Sequence, residues 1–166
     1  MQILTISGSA RPNSSNIRLL KALPEFLPAA NFQHYDGLEQ LPLFTAEAKP
    51  NQAVKDWQAA VEQANAAVIC TPEYINSIPA LLKNALEWLV DSGEFYNKRV
   101  LVVTFTPHLP RGEKAMESLI WLLQVLKANI VGQLSLYTSE INFTKKKIEM
   151  KDKLKKIVRA SLNTLL

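Results

Sequence analysis

The segment from Gly8 to Asn16 carries side chains suited to holding a phosphate. It follows a short apolar segment, Met1 to Ser7, and precedes a helical pattern that begins near Asn16. A helix N-terminus presents free amide donors and the positive end of the helix dipole, which favour an anion. Gly8 permits a sharp turn, and Arg11 adds a planar set of charge-assisted donors. The segment therefore predicts a phosphate-binding loop between a strand and a helix.

A second candidate loop follows the apolar segment Ala66 to Cys70, which is typical of a buried parallel strand. Pro72 restricts the geometry of this loop, and Ser77 and Pro79 are start signals for a helix. From Ile78 onward the apolar residues have the spacing of an amphipathic helix. Open α/β sheets bind ligands at the carboxyl ends of their strands, so this loop is also predicted to belong to a site.

Short apolar segments and longer amphipathic segments alternate along the whole chain. The predicted strands are Gln2–Ser7, Phe32–Tyr35, Ala66–Thr71, Arg99–Thr106 and Ile130–Leu136, and the predicted helices are Asn16–Leu27, Gln52–Gln63, Ile78–Val90, Gly112–Ala128 and Lys145–Leu165. This alternation predicts an α/β three-layer sandwich, a parallel sheet with helices on both faces, formed by residues 1–166 as one domain. Right-handed crossovers favour the flavodoxin-like strand order 2-1-3-4-5, with the first and third loops at its switch point.

The composition excludes several classes of protein. Of 166 residues, 48% are hydrophobic and 20% are charged, which is typical of a folded chain and not of a disordered one. No apolar segment is long enough to span a membrane, and the first residues indicate a strand instead of a signal peptide. The single Cys70 cannot form an internal disulfide, which indicates a reducing compartment, and we expect a cytoplasmic protein.

The charges and potential metal ligands are equally informative. The net charge of +4 suits phosphate ligands but is too small to indicate nucleic acid as a partner. Much of the excess lies in Lys145 to Lys147 and on the last predicted helix, whose basic face we interpret as solvated. One cysteine and two distant histidines do not predict a metal site.

The two loops together resemble those of a known family. The first is neither a GxxxxGK[ST] loop nor a GxGxxG turn. It resembles the Gly-Ser-x-Arg-x-x-Ser-x-Asn phosphate loop of the NAD(P)H-dependent FMN reductases through Gly8, Ser9, Arg11 and Asn16, with the serine at Ser14 or Ser15. Residues 71–88 resemble the loop and helix that lie against the flat flavin ring in the same flavodoxin-like family.

This resemblance implies an enzyme, an FMN-dependent oxidoreductase of the quinone reductase type. Hydride would pass from NADPH or NADH to FMN, and electrons would then pass to a small acceptor: a flavin, a quinone or an azo or nitro compound. The flavin N5 would carry the chemistry, so no catalytic side chain is expected. The implied phosphate-binding residues are Ser9, Arg11, Ser15 and Asn16, and the implied ring-binding residues are Pro72, Glu73, Tyr74, Asn76 and Ser77.

Two helices carry more apolar residues than one sheet face needs. The fourth predicted helix is apolar on nearly every side, and the third adds Trp88 and Val90. The resemblance implies that these helices pair with their symmetry mates, in a homodimer or a dimer of dimers. It also places Leu41 to Phe44 near the partner's flavin site, although a proline-braced surface loop explains this segment equally well.

Two departures from the family keep an alternative open. The family has Asn directly after Pro-Glu-Tyr, whereas this chain has Ile75 followed by Asn76. The loop over residues 106–112 has one glycine, where relatives have paired glycines and small residues. The alternative is a flavodoxin-like FMN-binding or regulatory protein without NAD(P)H turnover.

Overall fold

A parallel sheet forms the centre of the molecule in the computed structural model, which describes residues 1–144 and 148–166. Its strands are β1 (Gln2–Ser7), β2 (Asn31–Tyr35), β3 (Ala66–Thr71), β4 (Arg99–Thr106) and β5 (Asn129–Tyr137). They lie in the order β2-β1-β3-β4-β5, and every neighbouring pair is parallel. The predicted flavodoxin-like order is therefore confirmed.

Helices cover both faces of this sheet, as predicted. They are α1 (Ser15–Ala22), α2 (Gln52–Gln63), α3 (Ala80–Glu87), α4 (Glu113–Val125) and α5 (Asp152–Asn163). One core contains buried residues of α2, α3 and α4, and the other contains buried residues of α1 and α5. Strand β3 contributes to both, with Ala67 and Ile69 in the first core and Val68 and Cys70 in the second.

The predicted helix Lys145–Leu165 is wrong at its start. Two short strands, β6 (Ile141–Phe143) and β7 (Ile148–Met150), pair antiparallel, and α5 begins only at Asp152. In β7 the outer residues are buried and Glu149 is exposed, an alternation with the period of a strand. Lys145 to Lys147 lie outside the described residues.

Prolines account for two other shifted helix boundaries, the end of α1 and the start of α3. Helix α1 ends at Ala22 instead of Leu27, because Pro24 lies in a 3-10 turn that follows directly. Helix α3 begins after Pro79 and ends at Glu87, shorter than predicted at both ends.

A buried tryptophan connects α2 to α3. The Trp57 side chain is fully buried, and its Nε1 donates a hydrogen bond of 2.8 Å to the Ala85 carbonyl oxygen. Ala85 lies in the last turn of α3, where carbonyl groups receive no hydrogen bond from amides of the same helix. The ring also packs on Tyr35, with 4.7 Å between ring centroids. Trp57 thus fixes the helix that follows the loop after β3.

We expect Trp57→Phe to lower the free energy of unfolding by about 1–3 kcal/mol, because the Ala85 carbonyl loses its donor inside the core. Urea denaturation followed by circular dichroism measures this change. Tyr96→Phe is the control, because Tyr96 is 70% exposed and its replacement leaves the core unchanged. Equal stability of the Trp57 variant and the original protein would contradict this role.

Candidate functional site

The loop between β1 and α1 lies close against β3. The Gly8 amide donates a 2.8 Å hydrogen bond to the Cys70 carbonyl oxygen. A Cβ atom at Gly8 would lie 2.7 Å from Thr71 Oγ1, closer than real Cβ atoms approach. Glycine is therefore required here because the loop and β3 approach so closely.

The N-terminus of α1 has the donor set expected of an anion site. Ser14 is the N-cap, and its Oγ accepts a 3.2 Å hydrogen bond from the Ile17 amide. The amides of Ser15 and Asn16 belong to the first helical turn, where no carbonyl within the helix can accept from them. No acidic residue lies in this turn. The Ser14 hydroxyl can also donate its proton, since its oxygen acts as acceptor toward Ile17.

The predicted phosphate-binding residues fall into two groups. Ser9 is buried and its Oγ accepts from the Arg11 amide at 3.4 Å, while the Arg11 side chain is exposed. Ser15 is half-buried at the start of α1. These three surround the helix N-terminus, and their role in phosphate binding remains a prediction.

The side chain of Asn16 is directed into the core. Its Nδ2 donates to the Phe105 carbonyl oxygen at 3.3 Å, and its Oδ1 accepts from Cys70 Sγ at 3.1 Å. Burial raises the pKa of the Cys70 thiol, which favours this donor form. Asn16 thus holds α1 against β3 and β4. The backbone amide of Asn16 is therefore the group left for the predicted contact with phosphate.

The loop after β3 contains a tight two-residue turn. The Tyr74 amide donates to the Ser77 carbonyl at 2.9 Å, and the Ser77 amide donates to the Tyr74 carbonyl at 3.0 Å. Between them Ile75 and Asn76 have φ angles of 50° and 55°. Positive φ at both central residues is the pattern of a type I′ turn. The turn leaves Tyr74 and Ile75 exposed.

Two side chains of this loop connect it to α4. Glu73 Oε2 accepts hydrogen bonds of 3.1 Å from the amides of Gly112 and Ala115. These amides lie at the N-terminus of α4, so the carboxylate also meets the positive end of the helix dipole. Ser77 Oγ lies 3.2 Å from Ser118 Oγ on α4. No side chain caps α3, so the prediction that Ser77 is a start signal for that helix is wrong.

A cavity of about 560 Å³ opens at the carboxyl ends of β3 and β4. It is lined by Pro72, Glu73, Tyr74, Ile75, Thr106, Pro107 and Arg111. A neighbouring cavity of about 370 Å³ is lined by Glu73, Ile75, Asn76, Pro110, Arg111, Glu113 and Lys114. The larger one has the size of a small-molecule site. An anion site and a ring-sized cavity on one sheet edge together suit the phosphate and the isoalloxazine of FMN.

The loop after β4 also lines the cavity, through Thr106, Pro107 and Arg111. Residues 106–112 are expected to differ from the matching loop of the family, but none of them is among the predicted site residues. The position of β4 beside β3 could have indicated them. The resemblance allows Ser14 or Ser15, and the spacing of the serine in the motif matches Ser14.

The comparison with protein families decides the classification. A model of the NADPH-dependent FMN reductase family matches residues 1–142. The chain belongs to this family. It is therefore an oxidoreductase that uses FMN and NAD(P)H, in agreement with the anion-binding donor set at the start of α1.

Named relatives agree with this membership, and a solved structure shares the fold. A quinone reductase of Escherichia coli (strain K12) is 29% identical over 140 residues, covering 80% of this chain and 74% of the relative. An NADPH azoreductase of Bacillus sp. (strain OY1-2) is 30% identical over 134 residues, covering 79% and 73%. The fold matches a flavoenzyme NAD(P)H:(acceptor) oxidoreductase from Paracoccus denitrificans, with a TM-score of 0.77, 21% identity and coverage of 99% and 94%.

Within residues 1–144 and 148–166, no helix has both the length and the apolar character needed to cross a bilayer. The same residues contain no group of three or more His, Cys, Asp or Glu side chains placed to hold a metal ion.

We expect Glu73→Ala to lower the free energy of unfolding by about 0.5–2 kcal/mol, since two amides at the start of α4 lose their acceptor. Glu73→Gln keeps an acceptor oxygen and should lose less. Thermal denaturation of both variants measures the difference. The opposite ranking, with the Gln variant less stable than the Ala variant, would contradict a capping role.

Proposed function

We propose that the chain binds FMN across the loops after β1 and β3 and reduces a small quinone-type acceptor at the expense of NADPH or NADH. FMN supplies the hydride and electron chemistry when it is bound. The observation that carries this proposal is the position of an open helix N-terminus and a cavity of about 560 Å³ on the same sheet edge. Relatives named quinone reductase and azoreductase support this class of acceptor.

The phosphate end of the ligand is assigned to the loop after β1. Arg11 would approach from the solvent side, while Ser9, Ser14 and Ser15 supply hydroxyl groups around the first amides of α1. Asn16 would contribute its backbone amide, because its side chain is occupied by Cys70 and Phe105. A guanidinium and a helix N-terminus both favour a dianionic group.

The ring end is assigned to the cavity between the loops after β3 and β4. Pro72 and Tyr74 line this cavity, and Asn76 and Ser77 would act mainly through main-chain groups of the turn. The Glu73 carboxylate is engaged with α4, so we assign it to positioning the ring-binding loop. No side chain is assigned to proton transfer.

The first test is the visible absorption spectrum of the protein after incubation with FMN and desalting, followed by addition of NADPH. We expect a retained flavin band of about one FMN per chain that NADPH bleaches. A retained band that neither NADPH nor NADH bleaches would favour the alternative, an FMN-binding protein without NAD(P)H turnover.

We expect Arg11→Ala to weaken FMN binding by about 1.5–3 kcal/mol, because a charge-assisted contact to the phosphate is lost. Isothermal titration of the flavin-free protein with FMN measures this change. Lys21→Ala is the matched control: it removes the same charge from the exposed last turn of α1. Equal losses in both variants would indicate a general effect of net charge and would remove Arg11 from the site.

A homodimer is the second part of the proposal. Trp121 and Val125 on α4 are 71% and 65% exposed, and Val90 after α3 is 50% exposed. Trp88, which was predicted to add to this surface, is buried, and its Nε1 donates to the Pro42 carbonyl oxygen at 2.8 Å. That bond fixes the loop that contains Pro42 and Leu43, and the Leu43 side chain is 82% exposed. A fixed loop with an exposed leucine supports the hypothesis that this loop reaches a partner.

We expect Trp121→Glu to convert the dimer to a monomer, because an interface cannot easily bury an unpaired carboxylate. Analytical ultracentrifugation measures the mass in solution. Ile157→Glu is the control, since Ile157 is a 42% exposed apolar residue on α5. An unchanged dimer in the Trp121 variant would place the interface elsewhere.

Two broader proposals complete the assignment. We assign residues 1–166 to a single FMN-binding domain, because the two cores share one sheet. We also propose a cytoplasmic location, supported by the unpaired and buried Cys70.

A further inference from the structure

One residue of the ring-binding loop has a backbone conformation that its side chain disfavours. Among the described residues, four that are not glycine have a positive φ: Ile75, Asn76, Asn97 and Lys127. Asparagine tolerates this region, and Lys127 follows α4, where a left-handed residue commonly ends a helix. Ile75 is the β-branched member of this set, and for a β-branched residue such a φ is a true outlier.

The turn itself imposes this strain. The paired hydrogen bonds between Tyr74 and Ser77 leave two residues to reverse the chain, and such turns strongly prefer Asn-Gly or Asp-Gly. An asparagine or glycine in place of Ile75 would satisfy the same backbone without strain. The fold therefore does not require isoleucine at this position.

Among residues 1–144 and 148–166, no packing contact compensates for the strain. Ile75 is 100% exposed, so its side chain contributes nothing to either core. A strained residue at the edge of a site is a recognised sign of a functional role. The reason for an isoleucine must be sought in what binds beside it.

The position of Ile75 indicates where that contact would occur. Its side chain lines both the cavity of about 560 Å³ and the neighbouring cavity of about 370 Å³. Glu73 and Arg111 are the other residues common to both. The three residues shared by the two cavities are thus one apolar residue, Ile75, and two charged residues. Of the two charged residues, Glu73 is engaged with α4.

We propose that Ile75 is a specificity-determining residue that supplies the apolar contact for the ring of a quinone-type electron acceptor. This inference rests on the proposed function, because it assumes an acceptor site beside the ring-binding cavity. The acceptor ring would lie against the Ile75 side chain, which removes apolar surface of both from water. The strained turn holds that side chain away from the protein, where an incoming ring can reach it.

Two variants separate the strain from the apolar contact. Ile75→Leu removes the branch at Cβ and keeps an apolar side chain, whereas Ile75→Asn removes both. The Asn variant should melt about 2–6 °C higher than the original protein, because asparagine tolerates a positive φ; the Leu variant should gain less, because its Cβ is still strained there. The KM for 1,4-naphthoquinone should rise about tenfold in the Asn variant and stay within about twofold in the Leu variant.

Two controls accompany these measurements. Turnover of ferricyanide with NADPH reports any effect of the substitutions on the flavin itself, because this acceptor has no apolar ring to contact. The KM for naphthoquinone is compared at equal FMN content and equal mass in solution.

The possible failures are distinct. An unchanged KM for naphthoquinone in the Asn variant, with normal ferricyanide turnover, would overturn this inference alone. Loss of FMN from the Asn variant would assign Ile75 to the flavin, and dissociation of the dimer would assign it to the subunit interface; either result overturns the inference. If the original protein retains FMN but oxidises neither NADPH nor NADH with any acceptor, the proposed function fails and this inference fails with it.

Discussion

The burial of β3 on both faces is the constraint on which the rest of the structure depends. All six residues of this strand are buried, three directed to each side of the sheet. A strand without a solvent face needs helices on both sides, and parallel neighbours joined by helical crossovers supply them. The carboxyl ends of β1, β3 and β4 then lie side by side, which brings the loops of the candidate site together from distant parts of the sequence.

Hydrogen bonds between side chains and backbone then fix these loops relative to one another. Asn16 joins α1 to β3 and β4, while Glu73 joins the loop after β3 to α4. Both residues were predicted to contact the cofactor, and these contacts remain predictions, because the hydrogen bonds of their side chains within the protein leave their backbone groups to meet a ligand. A site that holds a flat cofactor through main-chain groups needs such side chains, since the backbone must already have its binding geometry before the ligand arrives.

The sequence predicted the architecture well because the signals were strong. The continuous apolar segment of β3 and the amphipathic spacing of α2 fixed these elements with correct bounds. The strands β6 and β7 were missed because three residues are too few to distinguish a strand from a helix by sequence alone, and the lysines before Ile148 suggested an extension of α5. The partners of Asn16 lie 54 and 89 residues away along the chain, and those of Glu73 lie 39 and 42 residues away, so no local pattern could reveal them.

The Glu73 carboxylate has a consequence for how a ligand is oriented at this edge. Helices α1 and α4 both begin here, and each offers the positive end of a dipole. At α4 that end is already neutralised from within the chain, whereas at α1 it remains open. An elongated molecule with one anionic end and one uncharged end therefore binds most favourably in one orientation, with the anionic end at α1 and the uncharged end near α4.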